Sequence, residues 1–117
     1  MEMNHDNTRH TLEMCAKALG RRIISWERGV AMLMTGNPML SEPFNPLADT
    51  DAGRSQCAVM CSELGISTDW NNHPYDAYIR CYTYRTHHNE NYSDHSTKTA
   101  AWQAAACAVA AQIAEGM

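Results

Sequence analysis

At 117 residues the chain is long enough for one domain and too short for a second, catalytic one. The hydrophobic set makes up 44% of it and charged residues 19%, which supplies a core and excludes a wholly disordered chain. Nine Lys and Arg against thirteen Asp and Glu leave a formal net charge of −4, which excludes both a broad phosphate-neutralising surface and the dense acidity of a DNA mimic.

The opening residues MEMNHDNTRH put no apolar segment behind a basic start, and no run of 18 apolar residues occurs anywhere. The expectation is a protein without export signal or membrane span, acting in the cytoplasm. From Thr8 to Leu19, Leu12, Cys15, Ala16 and Leu19 recur at helical spacing, and Gly20 supplies a left-handed stop. Two β-prone runs follow between Arg22 and Met34, split at Glu27-Arg28-Gly29, which predicts a hairpin with Gly29 at positive φ. Both runs are apolar on both faces, the pattern of strands covered from two sides.

Residues 35–48 hold three of the four prolines and predict a long loop. Asp49 or Thr50 can cap a second helix reaching Leu64, with Cys57, Met60, Cys61 and Leu64 on one stripe and Gly65 after it. Ile66–Trp70 and Ala77–Arg85 read as strands joined by the turn-forming stretch Asn71–Asp76. The polar run THHNENYSDHST predicts a loop in which Ser93, Asp94 or Ser96 caps the last helix, residues 97–114. That helix carries Trp102, Ala105, Ala106, Val109 and Ile113 on one stripe, while Ala104, Ala108 and Ala111 leave a smooth side open to a second subunit.

Ala18-Leu19-Gly20-Arg21-Arg22-Ile23-Ile24-Ser25-Trp26 is echoed by Glu63-Leu64-Gly65-Ile66-Ser67-Thr68-Asp69-Trp70. The chain therefore reads as one domain over residues 1–117, a weak α-ββ repeat at 8–34 and 50–85 followed by a closing helix. The expected class is α+β: a three-layer sandwich with a four-stranded, largely antiparallel sheet and helices on its faces.

Phe44-Asn45-Pro46-Leu47-Ala48-Asp49-Thr50-Asp51-Ala52, the helix end Glu63-Leu64-Gly65-Ile66 and the closing Ile113-Ala114-Glu115-Gly116 carry a resemblance. Over residues 44–117 the chain resembles the phage ABA-sandwich domain, a family of small phage and prophage proteins. It departs from that pattern before the last helix, where Lys98 stands among Ser, Thr and Ala in place of arginines. The resemblance implies phage origin, action in the cytoplasm of a bacterial host and a three-layer α/β fold, and brings no catalytic mechanism. By analogy, small phage proteins often counter host defences, either by binding a defence protein or by sequestering a signalling nucleotide.

His87, His88 and His95, with Glu90 and Asp94 between them, are the densest set of metal-ligand types. No Cys₂His₂ or HExxH spacing accompanies them, so a solvated loop is expected and no metal. Five cysteines form no CxxC pair and read as reduced core thiols, Cys57 and Cys61 included. Cys81 with His73 is one of many arithmetically possible nucleophile pairs, and no G-x-S-x-G elbow, P-loop or G-x-G-x-x-G occurs. Asp49 and Asp51 read as helix-start residues rather than an acid/base pair.

Two features suggest contact with a partner. Phe44 is either a staple against the second helix or a contact residue on a functional loop. In the fourth strand, period-two alternation places Ala77, Ile79, Cys81 and Thr83 on one face and Tyr78, Arg80, Tyr82 and Tyr84 on the other. The second face either binds a partner or lies under a helix with Arg80 reaching Asp69. The expectation is thus a non-enzymatic, cofactor-free protein that binds a host protein. The alternative is a sponge for a nucleotide-type signal, and homodimerisation through Ala104, Ala108 and Ala111 is compatible with either.

Overall fold

The computed structural model describes residues 5–34 and 41–117; residues 35–40 of the expected loop lie outside these. The elements are α1 (His5–Ala18), β1 (Ile23–Glu27), β2 (Val30–Met34), β3 (Ser41–Pro43), α2 (Asp51–Leu64), β4 (Ser67–His73), β5 (Asp76–Tyr82), β6 (His87–Asn91), a 3-10 turn (Tyr92–Asp94) and α3 (Lys98–Glu115). The class is α+β, as expected.

Local chemistry sets the boundaries. Thr50 Oγ1 accepts the Gly53 N–H at 3.0 Å, and Thr97 Oγ1 accepts the Ala100 N–H at 3.0 Å, so each helix opens on a threonine cap. Thr97 takes the role expected of Ser93, Asp94 or Ser96, because the chain first makes the 3-10 turn. Gly65, at φ 69°, closes α2 in the left-handed region and directs its N–H back to the Cys61 carbonyl. In the β1–β2 hairpin both Arg28 (φ 53°) and Gly29 (φ 80°) are left-handed, the pair a type I′ turn requires.

The single four-stranded sheet is not what forms. Among the described residues there are two three-stranded antiparallel sheets, in the orders β1-β2-β3 and β4-β5-β6, so the repeating unit is α-βββ rather than α-ββ. The two strands that expectation lacked fell inside segments read as loops. β3 is three residues long and ends in Pro43, while β6 is His-His-Asn-Glu-Asn with no β-branched residue. Both are held by pairing with a strong neighbour, β2 and β5, rather than by their own propensity.

Nor, among the described residues, do helices cover the sheets on both faces. α3 packs against α1, α2, β5 and β6. The sheet face turned to it carries Ile79 and Cys81, both fully buried. In β1 and β2, Ala31 and Leu33 face the core, while Ile24 and Val30 are each 42% exposed. Along α3, Ala101, Ala105, Ala106 and Ala110 are completely buried, small enough to let neighbouring elements approach its backbone closely. What remains of its surface is a half-buried strip that includes Ala104, Ala108 and Ala111. No helix among the described residues is long and apolar enough to cross a membrane.

Among the described residues, one polar side chain is buried with this core. Gln103 of α3, 2% exposed, donates through its amide nitrogen to the carbonyls of Pro46 (3.0 Å) and Ala48 (2.8 Å). Gln56 of α2 grips the same segment, accepting from the Asn45 N–H and donating to the Pro43 carbonyl, each at 2.7 Å. Gly53 lets α2 lie against it, since a Cβ there would stand 2.4 Å from the Ala48 carbonyl oxygen. Gln103→Leu keeps the apolar volume but leaves two carbonyls without their donor. Its expected cost is about 2–4 kcal/mol, read from denaturant midpoints, and Gly53→Ala is expected to destabilise through the clash alone.

Candidate functional site

β5 is the central strand of its sheet, and the face it turns away from α3 presents Tyr78, Arg80 and Tyr82, each half-buried. Cross-strand pairing surrounds them with polar side chains: Asp69 and Asn89 flank Arg80, Asn71 and Asn91 flank Tyr78, and Ser67 and His87 flank Tyr82. Arg80 Nε donates to Asn89 Oδ1 at 2.9 Å, which fixes the plane of the guanidinium. No carboxylate lies within ion-pairing distance of it among the described residues, Asp69 included. The outer fork of Arg80 is thus available, at the edge of an open cavity of about 310 Å³ lined by Asp69, Arg80, Tyr82, Thr83 and His87. Of the two expectations for this face, burial under a helix does not hold among the described residues.

Two expected site residues do not join it. Tyr84 lies beyond the end of β5, 90% exposed, with the Arg85 guanidinium 5.2 Å from its ring centroid. Phe44 is 4% exposed and belongs to the core cluster, forming with Leu33 and Met60 part of a 180 Å³ cavity between α2 and the first sheet. Its ring is internal to the fold, the position of the staple rather than of an exposed loop contact.

The histidine-rich run is a strand, and the strand's alternation divides it. His87 joins the open face, while His88 and Glu90 turn the other way and meet His95. Glu90 Oε2 and Oε1 accept from His88 Nε2 (2.5 Å) and His95 Nε2 (2.8 Å). No group of three or more metal-ligating side chains is set to hold an ion among the described residues. The expected thiol burial holds: all five cysteines are free and buried, gathered from α1, α2, β5 and α3. Hydrogen bonds from Cys107 and Cys61 hold the Cys57 thiol below its ordinary value, while Cys61 is pushed up by its bond to Cys57 and by burial, and Cys107 by its bonds with Cys15 and Cys57 and by burial. Burial pushes the Cys81 thiol up to about 11, partly offset by Thr68. His73 is exposed in β4, so the Cys81–His73 nucleophile pair is not made. Asp49 and Asp51 both bind the Arg54 guanidinium, at 2.9 and 2.8 Å, rather than each other.

A second concavity was missed by sequence reasoning. Glu13, Lys17, Arg21, Arg22, Ile23 and Trp26 line a groove of about 450 Å³ between α1 and β1, and Arg9 lies 4.5 Å from the Trp26 ring centroid. The signal was present: Arg9, Glu13 and Lys17 recur every four residues on one helical face, with Arg21-Arg22 after the turn. Arg21 is engaged at 3.6 Å by Glu42.

Comparison with family models, with curated proteins and with solved structures finds no match to this chain.

Partial burial pushes the Glu90 carboxyl up, but hydrogen bonds from His95 and His88 outweigh it and hold the group below its ordinary value of 4.5. A carboxyl held low in the fold stabilises it above the unfolded-state pKa, and that contribution is lost as pH falls through the folded value. Glu90→Gln is therefore expected to be less stable than the parent at neutral pH, and the difference should close below about pH 4.3, the unfolded-state value. Denaturant midpoints of both proteins across that range check it.

Proposed function

We propose that the chain is a non-enzymatic binding protein that docks a protein partner on the open face of Tyr78, Arg80 and Tyr82. What carries this reading is the Arg80 guanidinium, held in plane by Asn89 with its outer fork unpaired between two phenol rings. Tyr and Arg are the side chains whose burial contributes most at protein interfaces. Asp69 beside Arg80 favours a partner presenting both signs of charge over a polyphosphate, which the carboxylate repels. The resemblance to the phage ABA-sandwich domain supports the setting: a phage-encoded accessory protein acting in the bacterial host's cytoplasm on a defence component.

The second reading, sequestration of a nucleotide-type signal, draws support from the groove between α1 and β1, where Lys17 and Arg22 stand beside Trp26. Mass spectrometry of the purified protein for retained nucleotides tests that reading directly.

For the main reading, wild type, Arg80→Ala and Tyr82→Ala are immobilised and compared for capture from bacterial lysate. Each substitution is expected to weaken capture by roughly ten-fold or more with the melting temperature unchanged. Capture that is intact in both variants, or unfolding of both, refutes the site.

A further inference from the structure

Among the described residues, two sheets of three strands have four edges, and three of them are blunted. The β1–β2 ladder slips between Ile23 and Ser25. β3 is three residues long and ends in Pro43. β6 turns the ionisable pair His88 and Glu90 inward, with His95 beside them. Bulges, short proline-bearing strands and inward-pointing charges are the devices that stop an edge from recruiting another strand. β4 has none of them. It runs seven residues in an unbroken ladder against β5, without proline or lysine, and its one carboxylate is Asp69.

The direction of its backbone groups follows from two observations. Thr83 N donates to Thr86 O, so the odd-numbered residues of β5 point their backbone groups at β6 and the even-numbered ones at β4. The two-residue turn at Pro74-Tyr75 closes on the pair His73–Asp76 and gives the same phase. Ser67, Asp69, Asn71 and His73 are thereby bonded to β5, which leaves the N–H and C=O groups of Thr68, Trp70 and Asn72 facing the open edge.

We infer that this edge pairs with the same edge of a second copy, antiparallel and two-fold symmetric about Trp70, joining two sheets into one of six strands. In this register Thr68 faces Asn72 of the second copy and Trp70 faces Trp70, each pair exchanging two backbone hydrogen bonds. Asp69 faces Asn71 and Ser67 faces His73, so all seven residues are matched and no like charges are opposed. A shift that put residue 69 on the axis would set the two Asp69 carboxylates against each other. Asn71 suits its place, because its Oδ1 already accepts the His73 N–H at 3.0 Å and its amide N–H groups remain for the facing carboxylate. A second copy also explains a large exposed ring. α3 lies over β5 and β6, leaving Trp70 at the margin of the helix layer, 48% exposed and stacked on Tyr92 with ring centroids 6.4 Å apart. Lys98, bonded to Asn72 at 2.9 Å, borders the same margin. The six-stranded sheet covers both Trp70 rings and places two copies of the open Tyr78, Arg80 and Tyr82 face side by side.

The test is sedimentation of the full chain over a range of concentrations. Wild type is expected to approach twice the monomer mass as concentration rises. Thr68→Pro removes an N–H that β5 does not use, and Trp70→Lys sets two ammonium groups face to face in the symmetric register only. Both are expected to raise the dissociation constant roughly ten-fold or more with far-ultraviolet circular dichroism unchanged, while Ala108→Glu, on the rival strip of α3, leaves the dimer intact. Register is read with Trp70→Cys in glutathione disulfide, where two protein thiols become one intermolecular disulfide and the oxidant is reduced to two glutathiones. The five buried native thiols do not compete, and Asn71→Cys is expected to stay uncrosslinked. If Thr68→Pro fails to fold, Trp70→Lys and the crosslink still decide. A wild type that is monomeric throughout, a dimer that survives both edge variants or is lost with Ala108→Glu, or a crosslink at residue 71 in place of 70 overturns the proposal.

Discussion

The amide of Gln103 is the fixed point of the molecule. An apolar helix face packed from several sides gains most from small, featureless side chains, yet α3 places a primary amide in its buried surface and satisfies both amide hydrogens with the carbonyls of Pro46 and Ala48. Those carbonyls belong to a segment without regular structure, whose backbone would otherwise be buried with no ladder to satisfy it. With Gln56 holding the other end and Pro46 fully buried, the segment becomes a bracket held between α2 and α3. The start of α2, the contact of Gly53 with Ala48 and the depth of Phe44 all follow from where that bracket lies.

Around this point the architecture divides the work of the two sheets unequally. α3 is shared: it meets α1 and α2 with some of its small residues and β5 and β6 with others. A helix has one circumference, and when it is filled by four neighbours nothing is left to lie over the far face of the second sheet. The exposure of Tyr78, Arg80 and Tyr82 is therefore a consequence of how the core is filled. The composition of that face agrees, with Asn, Ser, His and Asp around the rings where a covered strand would carry aliphatic residues.

The three helices were legible from their periodicity, and for α2 the cap and the glycine stop agree with it: Thr50 and Gly65 bound α2, and Gly20 follows α1, whereas the cap of α3 is Thr97 rather than the Ser93, Asp94 or Ser96 that the sequence offered. The alternation of Ala77 to Tyr84 likewise placed Tyr78, Arg80 and Tyr82 on one face. What could not be read was what pairing alone creates. The β6 sequence has no strand character until β5 presents a partner, and β3 is too short for any period to appear. Splitting four expected strands into two sheets is decided by which faces α3 can reach, a long-range quantity that no local window contains. Phe44 was ambiguous for a related reason: a proline-rich segment looks like an exposed loop until the buried glutamine that satisfies its carbonyls is known.

The five buried thiols give the molecule a built-in record of its own breathing. Cys15 sits on α1, Cys57 and Cys61 on α2, Cys81 on β5 and Cys107 on α3. A thiol in such a position meets an alkylating reagent only when its element separates from the core, so its labelling rate measures the free energy of that opening. Because the sulfurs are distributed over α3 and three elements that abut it, the order in which they react resolves whether α1, α2 or the second sheet leaves α3 first. The chain thus carries, without any engineered probe, a map of its own hierarchy of partial unfolding.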